Sequence, residues 1–301
     1  MSFAWLFAII AGAFILFLAI YGVTKIIDVG EETTSAKTGT EINVLLNPLE
    51  TDFESEKIVS LEMPIETRIY NQQSVFGNFG SQKIKISQKN FGKWSETEIS
   101  PSFKNKYIFS EEVVEGTDFV LFSKPFKFPF KVADVIYLLP AEKEYCFINA
   151  PDEIEEEISD LDQNNLIIEN CSSESVGICF DLKLSVSLEC DIDVDTKRKE
   201  VEKENSKMFF ETDALMYAAI FSDKDVYENQ IERLMMRESK LLSLYDDKAS
   251  ILLAQGCSSD VDLLLFKNHI ENVKNSEDLA EVASIAEDIE RENNDAECKL
   301  W

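Results

Sequence analysis

The sequence predicts an α+β protein with an N-terminal transmembrane helix, a β-rich and mostly antiparallel body, and a C-terminal helical segment. An uncharged apolar run opens the chain, stretches with period-two hydrophobicity follow, and apolar side chains recur at helical spacing from residue 222 onward. The domains predicted from these patterns are a transmembrane anchor at 1–24, a stalk or linker at 25–56, an ectodomain at 57–221, and a helical segment at 222–301 packed on the ectodomain.

The apolar run "FAWLFAIIAGAFILFLAIYGV" occupies residues 3–23. A helix of this length rises roughly 31 Å, which is enough to cross a bilayer. A cleaved signal peptide is the alternative, but such peptides normally have a basic start and a shorter apolar core. A buried core helix is a further alternative. We expect a single-pass cell-membrane anchor that contacts membrane lipid through residues 3–23.

Small side chains form one stripe along this run, because Ala4, Ala8 and Gly12 are spaced by four residues. Such a stripe lets another helix approach closely. It indicates a helix-packing protein partner or a homo-oligomer. The alternative is chance, since alanine is common in apolar helices.

The charge of the chain is strongly negative, with 57 acidic and 29 basic residues and a net charge of -28. Most of this charge lies in the second half, where residues 151–301 carry a net charge of -23 against -5 for residues 1–150. Because a surface of this sign repels phosphate backbones, we expect no nucleic-acid partner. Solubility is the simpler account of the acidic surface.

Cysteines are even in number and all lie after the apolar run, which is typical of disulfides in an oxidising compartment. There is no CxxC pair, and the single histidine, His269, rules out the usual zinc spacing. The sequence therefore predicts a body outside the cytoplasm; free thiols in a cytoplasmic domain are the alternative. The predicted pairs are Cys257 with Cys298, Cys171 with Cys179, and Cys146 with Cys190.

Strands are predicted where hydrophobic side chains alternate, in "KIVSLEMP" and "SQKIKISQ". In "KPFKFPFKV", Phe126, Phe128, Phe130 and Val132 would share one face of a strand. Pro129 cannot donate to a strand ladder, so we expect an edge strand or an extended rim segment there.

Helices are predicted in four places. "PDEIEEEISDL" begins with Pro151 at the first helical position and has acidic residues in its first turn. A long helix runs from Ser222 or Asp223 to about Gly256, and two shorter helices follow at about 259–274 and after Ser276.

The sequence contains only weak motifs for metal binding or catalysis. Asp191, Asp193, Asp195 and Glu202 occupy positions 1, 3, 5 and 12 of a calcium-loop spacing, but Thr196 stands where the loop needs glycine. These four are weak metal candidates, and a strand ending in a charged hairpin is the alternative. No nucleotide-binding, zinc-protease or serine-hydrolase motif occurs. We therefore assign no catalytic residue and expect no cofactor.

The layout of residues 1–60 resembles mature type IV pilin-like and pseudopilin-like proteins, in which an apolar helix is followed by a β-rich head. Trp5 stands where those proteins carry a glutamate. The segments "LLNPLETDFES", "IETRIYN" and "FKFPFKVAD" are similar to uncharacterised single-pass membrane proteins of archaea. The first resemblance implies filament assembly, and the second implies no activity.

These observations favour a membrane-anchored cell-envelope protein that acts by binding or assembly rather than by catalysis. One alternative is an anchored extracytoplasmic hydrolase that uses carboxylates, whose pairing in space no sequence shows. Another is a cytoplasm-facing membrane scaffold that uses the helical segment for interaction. The redox state of the cysteines separates this last alternative from the other two hypotheses.

Overall fold

The structure, a computed structural model, describes residues 7, 9–22, 57–77, 79–96, 102–181, 190–259 and 261–301. Its fold is α+β. The strands are β1 (Lys57–Ser74), β2 (Ser81–Asn90), β3 (Lys93–Glu96), β4 (Ser102–Phe103), β5 (Tyr107–Phe109), β6 (Val113–Lys127), β7 (Lys131–Pro140), β8 (Tyr145–Ile148), β9 (Leu166–Ile168), β10 (Val176–Phe180), β11 (Ile192–Asp195), β12 (Glu200–Lys203) and β13 (Ser206–Phe209). The helices are α1 (residues 9–22), α2 (Asp152–Asp160), α3 (Asp213–Phe221), α4 (Lys224–Ala254), α5 (Leu263–Ile270) and α6 (Leu279–Asp295), with a 3₁₀ turn at Ser276–Asp278.

The predicted transmembrane helix is wrong. Among the described residues, no helix combines the length and the apolar character that a membrane crossing requires. Helix α1 rises roughly 21 Å, which is shorter than the hydrocarbon core of about 30 Å. The predicted stalk at 25–56 lies outside the described residues.

The first sheet has the strand order β3-β2-β1-β6-β7-β5, with β4 paired to β2. All its pairings are antiparallel except β5 with β7. The chain passes directly from β4, at the β2 side, to β5, at the β7 side, so the sheet curls back on itself. Its concave face encloses a separate apolar cluster that includes Leu61, Ile69, Ile86, Phe119 and Leu138.

The second sheet is mixed and has the order β13-β12-β11-β10-β8-β9. Its hairpins β11–β12 and β12–β13 are antiparallel, whereas β9, β8, β10 and β11 run parallel to their neighbours. The parallel strands differ from the expected antiparallel arrangement. Parallel neighbours require crossover connections, and α2 provides the one between β8 and β9.

Helix α3 lies in the core between the sheets, and the sequence did not reveal it. Every residue from Ala214 to Phe221 is buried. A helix that is apolar on all sides shows no helical periodicity, so its sequence looks like a buried strand. Tyr137 on β7 fixes it by donating a hydrogen bond to the Ala214 carbonyl at 2.7 Å.

The segment around Pro129 is a turn and not an edge strand, so that prediction is wrong. Strands β6 and β7 are neighbours inside the first sheet and reverse direction over residues 128–130, with a cis peptide bond between Phe128 and Pro129. A turn requires no ladder donor from proline. Phe126, Phe128 and Phe130 are nevertheless all buried, because the apolar core surrounds the turn.

Helix α4 is joined to the first sheet by a buried polar network. Arg233 is fully buried and donates to the Lys106 carbonyl at 3.0 Å and to Gln230 Oε1 at 2.6 Å. Gln230 donates to the Ile108 carbonyl at 2.8 Å and to Gln82. Burial lowers the pKa of Arg233 to about 10, since water is withdrawn from the guanidinium. Buried networks of this kind fix one arrangement of helix and sheet, although Arg233 Nε has no hydrogen-bond partner among the described residues.

Three disulfides close the body: Cys146–Cys171, Cys179–Cys190 and Cys257–Cys298. The last is the predicted bond. The predicted pairs Cys171–Cys179 and Cys146–Cys190 are wrong. Strand β10 lies between β8 and β11 and runs parallel to both, so Cys146 on β8 bonds to Cys171, and Cys179 on β10 bonds to Cys190. The three bonds fit an oxidising environment, as predicted from the even cysteine count.

Candidate functional site

Helix α1 exposes its apolar side chains on every side. Phe7, just before it, is 71% exposed, and Phe14, Ile15 and Phe17 in the helix are 62%, 67% and 63% exposed. A helix that is apolar all round is normally buried against other apolar groups. The described part of the body does not supply those groups, because both of its apolar clusters are formed by other residues. Helix α1 therefore presents a surface for an apolar partner.

Gly12 marks the flattest part of this surface. A side chain built at Gly12 would meet no atom within 4 Å. Of the predicted packing stripe, Ala4 and Ala8 lie outside the described residues, so the stripe itself stays a prediction. In the structure, no described atom prevents a second helix from approaching the Gly12 backbone.

A second candidate site is a polar groove of about 710 Å³ at the start of α4. The end of β1 supplies Gln72 and Gln73, the β12–β13 hairpin supplies Lys203, and the first two turns of α4 supply Lys224 and Asn229. The groove is therefore formed where both sheets meet one helix N-terminus. We call it the α4 groove.

The charged centre of the α4 groove is the pair formed by Lys203 and Asp223, with Lys203 Nζ 3.9 Å from Asp223 Oδ1. Asp223 precedes α4 without capping it; its Oδ2 instead accepts a hydrogen bond from the Glu112 backbone N–H at 2.7 Å. Burial lowers the pKa of Lys203, although the carboxylates of Glu111 and Asp223 oppose the shift. Perturbed lysines beside a groove are typical of binding or reactive sites.

A second groove of about 720 Å³ lies beside Glu111 and Lys143, which form an ion pair. The charges of Glu111 and Lys143 act on Lys203, so the two grooves share one cluster of two lysines and two carboxylates. Burial raises the pKa of Tyr145, and the carboxylates of Glu111 and Asp223 add to this shift. Such a cluster can bind a ligand that carries polar groups and charges of both signs. The sequence did not indicate it, because its residues come from four distant segments.

The predicted calcium residues do not converge on one point. Asp191 accepts from the Gly177 backbone at 2.8 Å, and Asp195 accepts from the backbone and side chain of Arg198. Asp193 lies opposite Glu202 across the β11–β12 pair, and burial together with this negative neighbour raises the pKa of Asp193. The strand-and-hairpin alternative describes this geometry.

One further group with metal-ligand chemistry contains Cys179, Cys190 and Asp193. Both sulfurs belong to one disulfide, so they are not thiolate ligands. The single histidine, His269, lies in α5 with its Nδ1 3.6 Å from Glu281 Oε1. It forms a surface contact between α5 and α6.

Comparison with known proteins finds no matching family model, no matching curated protein and no matching solved structure. The pilin-like and archaeal resemblances therefore stay expectations from the sequence.

Proposed function

We propose that the protein acts by assembly outside the cytoplasm: α1 packs against α1 of further copies, and the disulfide-closed body is displayed around the helices. The observation that carries this proposal is the exposure of large apolar side chains on all sides of α1. Exposed apolar surface of this extent marks an interaction site.

Two further features support the proposal. The three disulfides favour an extracytoplasmic body and weigh against the cytoplasmic scaffold, since cytosolic thiols are kept reduced. The open backbone at Gly12 permits the close helix contact that small residues provide. The acidic distal half would keep assembled bodies apart and soluble.

Replacing Gly12 with leucine should weaken this assembly. The added side chain would hold two helix backbones apart, and we expect the yield of crosslinked dimer to fall roughly fivefold, which corresponds to about 1 kcal/mol of helix packing. Chemical crosslinking of the purified chain, followed by denaturing electrophoresis, measures this yield.

Ala13→Leu is the matched control, because Ala13 is also exposed but lies on a different side of the helix from Gly12. It should leave the dimer yield unchanged. Equal yields from native chain, Gly12→Leu and Ala13→Leu would count against the proposal. So would binding of α1 to lipid vesicles as a monomer.

A second candidate function is binding of a small polar ligand in the α4 groove. It is favoured by the convergence of amides, lysines and carboxylates around Lys203 and Asp223. A screen of saccharides and amino acids for a raised thermal midpoint tests it, with Asp223→Asn as the comparison. A ligand that stabilises the native chain but not the variant supports binding; a screen without such a ligand opposes it.

A further inference from the structure

The turn between β2 and β3 exposes a phenylalanine completely. Phe91 is 100% exposed at the tip of the hairpin, between Asn90 and Gly92. Asn90 pairs with Lys93, so Phe91 and Gly92 form a two-residue turn. Exposing a whole aromatic ring forgoes the stabilisation that its burial would provide.

The backbone of this turn also disfavours phenylalanine. Phe91 has a φ of 49° and Gly92 a φ of 77°. A two-residue hairpin turn with both φ values positive prefers asparagine followed by glycine, because a bulky side chain is strained there. Folding alone therefore does not explain Phe91, which points to a role at the tip.

The tip belongs to the most basic part of the chain. Residues 57–110 contain eight Lys or Arg and four Asp or Glu, a net charge of +4 in a chain of net charge -28. Lys89 and Lys93 flank the turn, and Trp94 follows it; Lys89 Nζ is paired with Glu66 Oε2 at 2.7 Å, so the exposed Lys93 is the cation that the tip presents. The Arg68 guanidinium lies 3.9 Å from the centre of the Trp94 ring.

This arrangement extends along the outward face of β1–β3, opposite the face that lies over the interior cluster of the first sheet. Tyr70 is cross-strand to Lys85, whose ammonium lies 5.6 Å from the tyrosine ring, and Lys83 is exposed farther along β2. Cations and aromatic rings together at one surface are typical of contact with lipid headgroups.

We propose that the β2–β3 tip docks on an anionic lipid surface, with Phe91 inserted at the boundary between headgroups and acyl chains and Lys93 at the level of the phosphates. Charge complementarity selects this occupant: residues 57–110 carry a net charge of +4, whereas residues 151–301 carry -23 and would be repelled by anionic headgroups. The docking is peripheral and independent of the helix assembly proposed above. A single inserted ring makes it weak and reversible.

Fluorescence of Trp94 tests the proposal in the full chain. A Trp5→Phe background removes the tryptophan of the apolar run, and Trp301 gives a constant signal because it packs against Phe130 and Tyr245 in the body. Vesicles that contain phosphatidylglycerol and brominated phosphatidylcholine should quench Trp94. Vesicles of brominated phosphatidylcholine alone should quench it less, because Lys93 then has no anionic headgroup to bind.

Phe91→Asn should raise the lipid concentration required for half-maximal quenching about tenfold, while the thermal midpoint rises by about 2–4 °C, because the turn gains its preferred residue. The affinity for vesicles would then fall while the thermal midpoint rises. A residue with only a structural role would not change these two quantities in opposite directions.

Phe76→Ser is the matched control. Phe76 is 87% exposed in the β1–β2 loop, at the other end of β2 and roughly 30 Å from the tip, without flanking lysines. It should leave quenching unchanged. Equal quenching of native chain and Phe91→Asn, or no quenching of either, would overturn the proposal. A change in self-association on Phe91→Asn without vesicles would also overturn it, because the tip would then bind a second copy.

Discussion

Replacing Cys257 and Cys298 together with alanine should lower the free energy of unfolding by about 4 kcal/mol. The two cysteines are 41 residues apart, and opening a loop of this length restores that much chain entropy to the unfolded state. Both side chains are only partly buried, so the substitution leaves little cavity and the loss comes mainly from the crosslink. Chemical denaturation of oxidised protein measures the change.

The same bond holds the C-terminus in place. Leu300 is fully buried, and its carbonyl accepts a hydrogen bond from Lys248 Nζ at 2.7 Å. Adding reductant should remove the difference between the native chain and the double variant. If the oxidised proteins already have equal stability, the disulfide does not hold α6 against α4.

Replacing Glu238 with glutamine should stabilise the protein at pH 7, by up to about 1.4 kcal/mol for each pH unit above the ordinary pKa of glutamate. Glu238 is fully buried in α4, and neither carboxyl oxygen has a hydrogen-bond partner among the described residues. Burial raises the pKa of Glu238 well above its ordinary value, because a buried carboxylate without a counter-ion is disfavoured. Glutamine keeps the shape and removes the ionisation.

The sign of the pH dependence follows from this raised pKa. Above the ordinary pKa of glutamate the unfolded chain releases the proton, whereas the folded protein retains it. The free energy of unfolding of the native chain therefore falls as pH rises, by up to about 1.4 kcal/mol per pH unit, until the folded pKa is reached. Below about pH 4 the native chain and Glu238→Gln should have nearly equal stability.

Denaturation curves of both proteins at several pH values measure this divergence. Glu290→Gln is the matched control, because Glu290 is exposed on α6 and its replacement should change stability by less than about 0.5 kcal/mol. A difference between native chain and Glu238→Gln that stays constant across the pH range would show that Glu238 does not retain its proton on folding.

The sequence predicted the parts of the fold where hydrophobicity has a clear period. Alternation located β1 and β2, and helical spacing located α4 and α6. The Cys257–Cys298 bond was also predicted, although its premise of two helices of nearly equal length was wrong, because α5 has 8 residues and α6 has 17. In each case the controlling interactions are local.

The remaining features of the fold and of the candidate site depend on contacts between distant segments, which the periodicity of hydrophobic residues does not predict. Helix α3 is apolar on all sides, so it lacks a period, and Pro129 indicates a strand edge and a turn equally well. The other two disulfides depend on the parallel order of β8, β10 and β11. The α4 groove brings Lys203 together with Asp223 through the meeting of both sheets, which no single segment specifies.

Sedimentation velocity of the oxidised full chain tests the central claim, assembly through α1, most directly. The account predicts one discrete species larger than the 34.3 kDa chain. Leu16→Glu should convert it to monomer, since Leu16 lies one turn from Gly12 and a charge there would be buried between helices. A native chain that sediments as a monomer, or an oligomer that Leu16→Glu leaves intact, would contradict the account.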